Sequence, residues 1–269
     1  MAITTQDGLI SAMGGAQRLV INKASVTAVA GRTLSLWSAA GQPGVGSTTL
    51  GNALAGAVPL SSDTGALGFT NPVSQNSYIA RVGGISAATG LVLLYDILWV
   101  WSSPTGWSVT STATQNTTSP TALTRPDANG TNTELWMETI AAGGAASGTS
   151  TISYTNSAST AGRSASLRDT KISSPPIGTI EKYTLQAGDN GVKSVQSMTN
   201  SATWTSGTFR LQIVRRIAEI PVTANVGFNF DAYDLGLPRV YDSAAIGIAF
   251  EANSTTTGPL SMSVTLAQG

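Results

Sequence analysis

The sequence contains no cysteine and no histidine. Without cysteine there is no disulfide framework, no thiolate nucleophile and no thiolate-bound metal. Without histidine the commonest general base and the commonest metal ligand are both missing. Charge is scarce as well: 10% of the 269 residues are charged, against roughly 25% in an ordinary globular protein. The 14 basic and 14 acidic residues cancel. A nucleic-acid binder needs a basic face to neutralise phosphates, and a membrane-surface protein needs a polybasic patch, so neither partner is expected. No apolar run is long enough to cross a bilayer; the most apolar stretch, 91–101, carries Asp96 in its middle. The N-terminus lacks the basic start and apolar run of a signal peptide, which points to synthesis and assembly in a cytoplasm.

What the chain does contain is small and polar. Ser and Thr make up about a quarter of it and Gly adds 29 residues, yet 41% is hydrophobic. The apolar residues come in short runs of strand type, so the composition is not that of a disordered chain. No charge falls in 97–123, 139–162 or 252–269. A free monomer keeps charge on every face for solubility, so these neutral stretches point either to surfaces covered by neighbouring subunits or to a plain Ser/Thr-rich exterior.

The segment Thr4-Thr5-Gln6-Asp7 reads as a capping box with Asp in place of Glu, followed by Leu9, Ile10 and Met13 at helical spacing and a Gly14-Gly15 stop. One short helix is expected there, as an arm on a neighbour or a lid on the chain's own core. Helical periodicity then ends. Strands are expected at 18–23, 33–37, 78–82, 90–101, 134–140, 150–156, 163–167, 178–185, 191–198, 208–217, 245–251 and 260–266, separated by Asn, Gly and Pro turn signals. The pattern predicts an all-β fold, a jelly-roll-like or related β-sandwich with a short N-terminal helix or arm. The arm covers 1–17 and the sandwich 18–269, with room for a C-terminal sub-domain or extension from about residue 222. A repeat-like echo, 153–158 against 197–202, suggests two hairpins with similar turns.

Two strands invite interface readings. In 91–101 both alternating faces are apolar, so both must be covered. Leu94, Leu98, Trp99 and Trp101 are the interface candidates, a homo-oligomer is expected, and a trimer is favoured. Asp96 needs a partner if buried, and Arg81 is a candidate. In 209–217 Arg215 shares a face with Phe209, Leu211, Ile213 and Ile217. It either guards a sheet edge or meets a partner's carboxylate.

Chemical motifs are weak throughout. Gly41-Gln-Pro-Gly-Val-Gly46-Ser47-Thr48 approaches a phosphate-binding loop but has Ser47 where lysine is required and no helix pattern behind it. Asp127, Asn129 and Glu134 could supply oxygens to calcium, although the same residues build ordinary Asx turns. Asp231 with Asp234, or Glu134 with Glu138, could be drawn as a carboxylate pair, with nothing to place either in a cleft. Trp107 and Trp204 lie in Ser/Thr/Gly loops, either stacking on a sugar or tucked over the core. No catalytic residue and no cofactor is expected.

Several segments resemble a group of tailed-bacteriophage virion proteins. They are Ala30-Gly-Arg-Thr-Leu-Ser-Leu-Trp-Ser-Ala-Ala-Gly-Gln-Pro-Gly44, Leu94-Tyr-Asp-Ile-Leu-Trp99, Tyr154-Thr-Asn156 and Ala161-Gly-Arg163. Further on come Leu185-Gln-Ala-Gly-Asp-Asn-Gly-Val-Lys-Ser-Val-Gln196, Arg215-Arg-Ile-Ala-Glu-Ile-Pro221, Leu237-Pro-Arg-Val-Tyr-Asp242 and the ending Leu266-Ala-Gln-Gly269. The resemblance implies a non-enzymatic capsid decoration, cement or minor capsid protein whose partners are the major capsid protein or other virion proteins. A receptor- or carbohydrate-binding module and a tail or neck component are the alternatives.

Overall fold

A computed structural model describes residues 3–145, 148–168 and 171–269. Residues 1–2 of the expected arm and 146–147 of the second neutral stretch lie outside these. The chain opens with helix α1 (Gln6–Met13) and continues through β1 (Gln17–Lys23), β2 (Thr33–Ser35), β3 (Gly41–Gln42), β4 (Ser77–Ser86) and β5 (Gly90–Ser102). Then come β6 (Gln115–Asn116), β7 (Glu134–Ala141), β8 (Ser150–Asn156), β9 (Arg163–Leu167), β10 (Thr179–Thr184), β11 (Val192–Asn200) and β12 (Thr208–Val222). The last part holds β13 (Gly227–Asp231), the short helix α2 (Ala232–Leu235), β14 (Arg239–Val240), β15 (Ile246–Ala252) and β16 (Leu260–Gln268).

The strands form two sheets with antiparallel pairing throughout. The smaller has the order β13-β4-β16-β1-β3, with β14 also on β4. The larger runs β2-β15-β5-β12-β7-β10-β9-β8-β11-β6, and β2 also pairs with β10. That last pairing, Thr179 with Leu34 and Ile180 with Thr33, closes six strands into a ring. The fold is therefore the expected all-β sandwich with a closed, barrel-like element inside it. No separate C-terminal extension exists among the described residues: β15 lies between β2 and β5 in the ring, and β16 lies between β4 and β1.

Strand β5 organises the core. Its residues Val92 and Leu94 pack with the smaller sheet, through Val82 of β4, Ile21 of β1 and Val264 of β16. A register shift between its Ile97 and Trp99 pairings with β12 marks a bulge at Leu98. Beyond it Leu98, Trp99 and Trp101 pack with β8, β9 and β11, through Ile152, Ala165 and Val195. The alternate residues Leu93, Tyr95 and Ile97 pack with Trp37, Trp136 and Val214 in a third cluster built from strands of the ring and the loops beside them. One strand thus serves three apolar clusters, which is why its sequence is apolar on both faces.

Two buried ion pairs lie in this frame. Asp96, where the first two clusters meet along β5, accepts from Arg125 Nε at 3.0 Å to each carboxylate oxygen. Arg125 Nη2 also donates to the carbonyls of Pro59 and Ile97, so one side chain pins the long 103–133 connection and the 51–67 loop to the strand. Burial pushes the Asp96 carboxyl upward, and Arg125 pulls it back. The partner expected from sequence, Arg81, is instead exposed and donates to Asn229 at 2.6 Å. In the second pair, Glu138 Oε2 accepts from Arg210 Nη2 at 2.6 Å and from Gln212 Nε2 at 3.0 Å. The Arg210 guanidinium also lies over the Trp37 ring, 4.6 Å from its centroid.

The turn motif 185–196 has a visible purpose. Asp189 accepts from Asn156 Nδ2 at 2.7 Å, from Arg163 Nε at 2.9 Å and from the Tyr154 hydroxyl, tying the β10–β11 turn to the β8–β9 hairpin. The hydrogen bond from Arg163, with those from Tyr154 and Asn156, holds the Asp189 carboxyl down to about 2. A depressed carboxyl contributes stability that is complete above the unfolded value of about 4 and is lost as pH falls towards 2. Asp189→Asn should therefore flatten the acid limb of the stability curve in that window, as read by thermal melts across a pH series. An unchanged acid limb would show that this knot does not contribute.

Candidate interaction surface

The residues singled out in the sequence are placed as follows. Leu94, Leu98, Trp99 and Trp101 are all at 1% exposure or less in the single chain. The two apolar faces of β5 are filled by the chain's own clusters, so none of the four is open to a neighbour, and any oligomer must use other surfaces. Arg215 is half-buried; it donates to the Arg239 carbonyl at 2.9 Å and lies 4.9 Å from the Tyr241 ring centroid, while Arg239 lies 4.4 Å from the same ring. It is engaged within the chain.

Asp127 and Glu134 do not converge on a calcium site. Asp127 Oδ1 accepts from the Asn129 amide at 2.7 Å, an Asx turn. Glu134 is committed to Arg216 at 2.7 Å and to the Trp136 indole at 2.9 Å. Among the described residues no acidic cluster gathers to hold a metal. The carboxylate pairs are equally occupied: Asp231 and Asp234 form the capping box of α2, and Glu138 is buried against Arg210. Trp107 and Trp204 are buried and stack edge-on with centroids 6.0 Å apart. They belong to the core, which removes the stacking platform from the sugar-binding reading. The capping box expected from Thr4 and Asp7 does not form: Thr5 is the cap and accepts from Gly8 N at 3.0 Å, and a glycine at that position has no side chain to return the bond. The echo segments lie on β8 and β11, which pair with each other. Only the first is a hairpin, with β9; β11 does not pair with β12.

What remains open to a partner is the outward face of the smaller sheet. Its inward residues pack on the ring, so period-two alternation leaves the other positions facing out. Cross-strand register arranges these positions in three rows over β1, β16, β4 and β13. The first is Arg18, Thr265, Arg81 and Asp231. The second is Val20, Ser263, Gly83 and Asn229, and the third is Asn22, Ser261, Ile85 and Gly227. Every side chain in the rows is short apart from the two arginines, Val20 and Ile85. The last two are about half exposed, at 51% and 45%. The neutral segment 252–269 supplies the Ser261, Ser263 and Thr265 column of this face.

Helix α1 packs at the end of β16, and none of its residues is buried. Ile10 and Met13 remain exposed. A groove of about 640 Å³ runs between α1, β4 and α2, lined by Leu9, Met13, Ala80 and Leu237, with Arg81 and Asp231 at one side and Tyr233, fully exposed, at its edge. The groove and the rowed face share Arg81.

Sequence reading missed β13 and α2, which complete this surface. The signal was present: Phe228 and Phe230 alternate with Gly227, Asn229 and Asp231, and Asp231 stands three residues before Asp234 as a capping box. No protein-family model, curated protein or solved structure matches the chain.

Proposed function

We propose that this chain is a non-enzymatic structural subunit of a tailed-bacteriophage particle, decorating or cementing the capsid through contacts with major capsid subunits or other virion proteins. The observation that carries the reading is the outward face of the smaller sheet with the adjoining helix. Most of its outward positions are Ser, Thr, Asn or Gly, with charge confined to Arg18, Arg81 and Asp231 in one row, and beside it stands a helix none of whose residues is buried. A broad sheet face of mostly short side chains suits contact with another protein better than capture of a small ion or metabolite. The segments that resemble virion proteins agree with a structural role. They build the Asp189 knot, the Arg215–Tyr241–Arg239 stack and the middle of β5, all of which are scaffolding.

Copy number tests the proposal. Particles purified from cells that carry the gene should contain the chain at tens to hundreds of copies, by quantitative mass spectrometry against the major capsid protein. A chain absent from particles contradicts the proposal, and one present at only a few copies contradicts the decorating role.

A further inference from the structure

We infer that the outward face of the smaller sheet is self-complementary, and that a second copy of this chain packs on it face to face about a two-fold axis running along the strands. The inference does not depend on the virion reading; within a particle it leaves helix α1, with Ile10 and Met13 exposed, for the other virion proteins. It starts from the row Arg18, Thr265, Arg81, Asp231, which carries opposite charges at its two ends. Among the described residues Arg18 has no ion-pair partner, and Asp231 lies three strand spacings away, about 14 Å. Asp231 uses Oδ1 to cap α2, accepting from Tyr233 N at 2.8 Å and Asp234 N at 3.2 Å. Its Oδ2 is left for an incoming guanidinium.

A two-fold axis along the strands, between β16 and β4, exchanges β1 with β13. Arg18 of each copy then lies over Asp231 of the other, and Thr265 lies over Arg81. In an isologous contact this pairing occurs twice. The other in-plane axis, across the strands, would lay the first row on the third. Arg81 would then meet Ile85, Arg18 would meet Asn22, and no charge would be matched. Charge complementarity thus selects one axis. Side-chain size permits the approach, because Gly83, Gly227 and the serines of β16 keep the face low enough for sheets to pack at about 10 Å.

The rowed area is about 20 by 20 Å per copy, below the roughly 800 Å² per partner of a standard stable interface. The isolated pair is accordingly weak and gains strength where several such contacts are made together. The charges act mainly on register and specificity.

Sedimentation velocity over a concentration series of the full chain tests this. The wild type should show a monomer–dimer equilibrium that weakens as salt is raised. Arg18→Asp alone and Asp231→Arg alone should each raise the dimer dissociation constant by about tenfold or more, since like charges then face each other twice. An equimolar mixture of the two variants should dimerise again, because both contacts of the mixed pair bring opposite charges together. Misfolded variants could not produce that recovery. Asp231→Asn, which keeps the helix cap and removes the charge, should weaken the dimer without changing the far-UV spectrum. A wild type that stays monomeric at the highest concentrations, single variants that dimerise like the wild type, or a mixture that fails to recover would each overturn the inference.

Discussion

Replacing Arg125 with leucine should destabilise the chain by about 3–5 kcal/mol at neutral pH. The guanidinium is 4% exposed and the Asp96 side chain it neutralises is fully buried. Removing the cation leaves a carboxylate with no charged partner within hydrogen-bond reach, and it also frees the Pro59 and Ile97 carbonyls to which Arg125 donates. The loss should depend on pH in a defined sense. Burial already raises the Asp96 carboxyl, and without Arg125 it rises further. A carboxyl raised in the folded state binds its proton more tightly folded than unfolded, so stability falls as pH rises between the two values. The variant should therefore recover part of its loss on acidification from pH 7 towards about pH 5, where the neutral form of Asp96 becomes accessible. Urea unfolding at both pH values measures this. A deficit under about 1 kcal/mol, or one that grows on acidification, would show that the pair does not hold the loops to β5.

The second large effect concerns the two faces of β5. Leu94→Lys and Tyr95→Lys should both abolish the folded subunit, because Leu94 and Tyr95 are each at 0% exposure, and Glu138, the carboxylate near Tyr95, is already committed to Arg210 and Gln212. An unpaired buried charge costs several kcal/mol, a large share of the 5–15 kcal/mol that stabilises a typical domain. The milder Leu94→Ala should cost about 2–5 kcal/mol through lost burial and a residual cavity. If Leu94 faced a neighbouring subunit, its lysine variant would be a soluble, folded monomer. Circular dichroism and sedimentation of the two variants side by side separate these outcomes.

That contrast shows where sequence reading succeeds and where it stops. Local pattern located short strands well and cut two long ones short: 150–156 and 163–167 are strands to the residue, while β4 and β12 run four and five residues past their expected ends, and the 91–101 run was correctly read as covered on both sides. What covers it is a non-local property. The closure of the ring rests on two residue pairs between β2 and β10, a contact across some 145 positions that leaves no periodic trace. The partner of Asp96 was misassigned for the same reason, because Arg125 arrives from a connection whose regular structure is limited to the two residues of β6, and turn chemistry does not say where such a segment lies. Trp107 and Trp204 looked exposed by their Ser/Thr/Gly neighbours, yet each fills the space between β12 and the loops that cross it. The surface proposed for assembly was half legible. The expected strands 18–23, 78–82 and 260–266 marked most of β1 and β16 and half of β4, while β13 went unread because Asp231, its last residue, was weighed with Asp234 as a chemical pair and not as a cap.

An electron-microscopy map of the intact particle bears most directly on the central proposal. The account predicts density for the six-stranded ring and its smaller sheet repeated over the shell, with the outward face of that sheet or helix α1 against another protein. Density confined to a few copies at the tail tip, or shell copies whose outward sheet face and α1 both stand free in solvent, would contradict it.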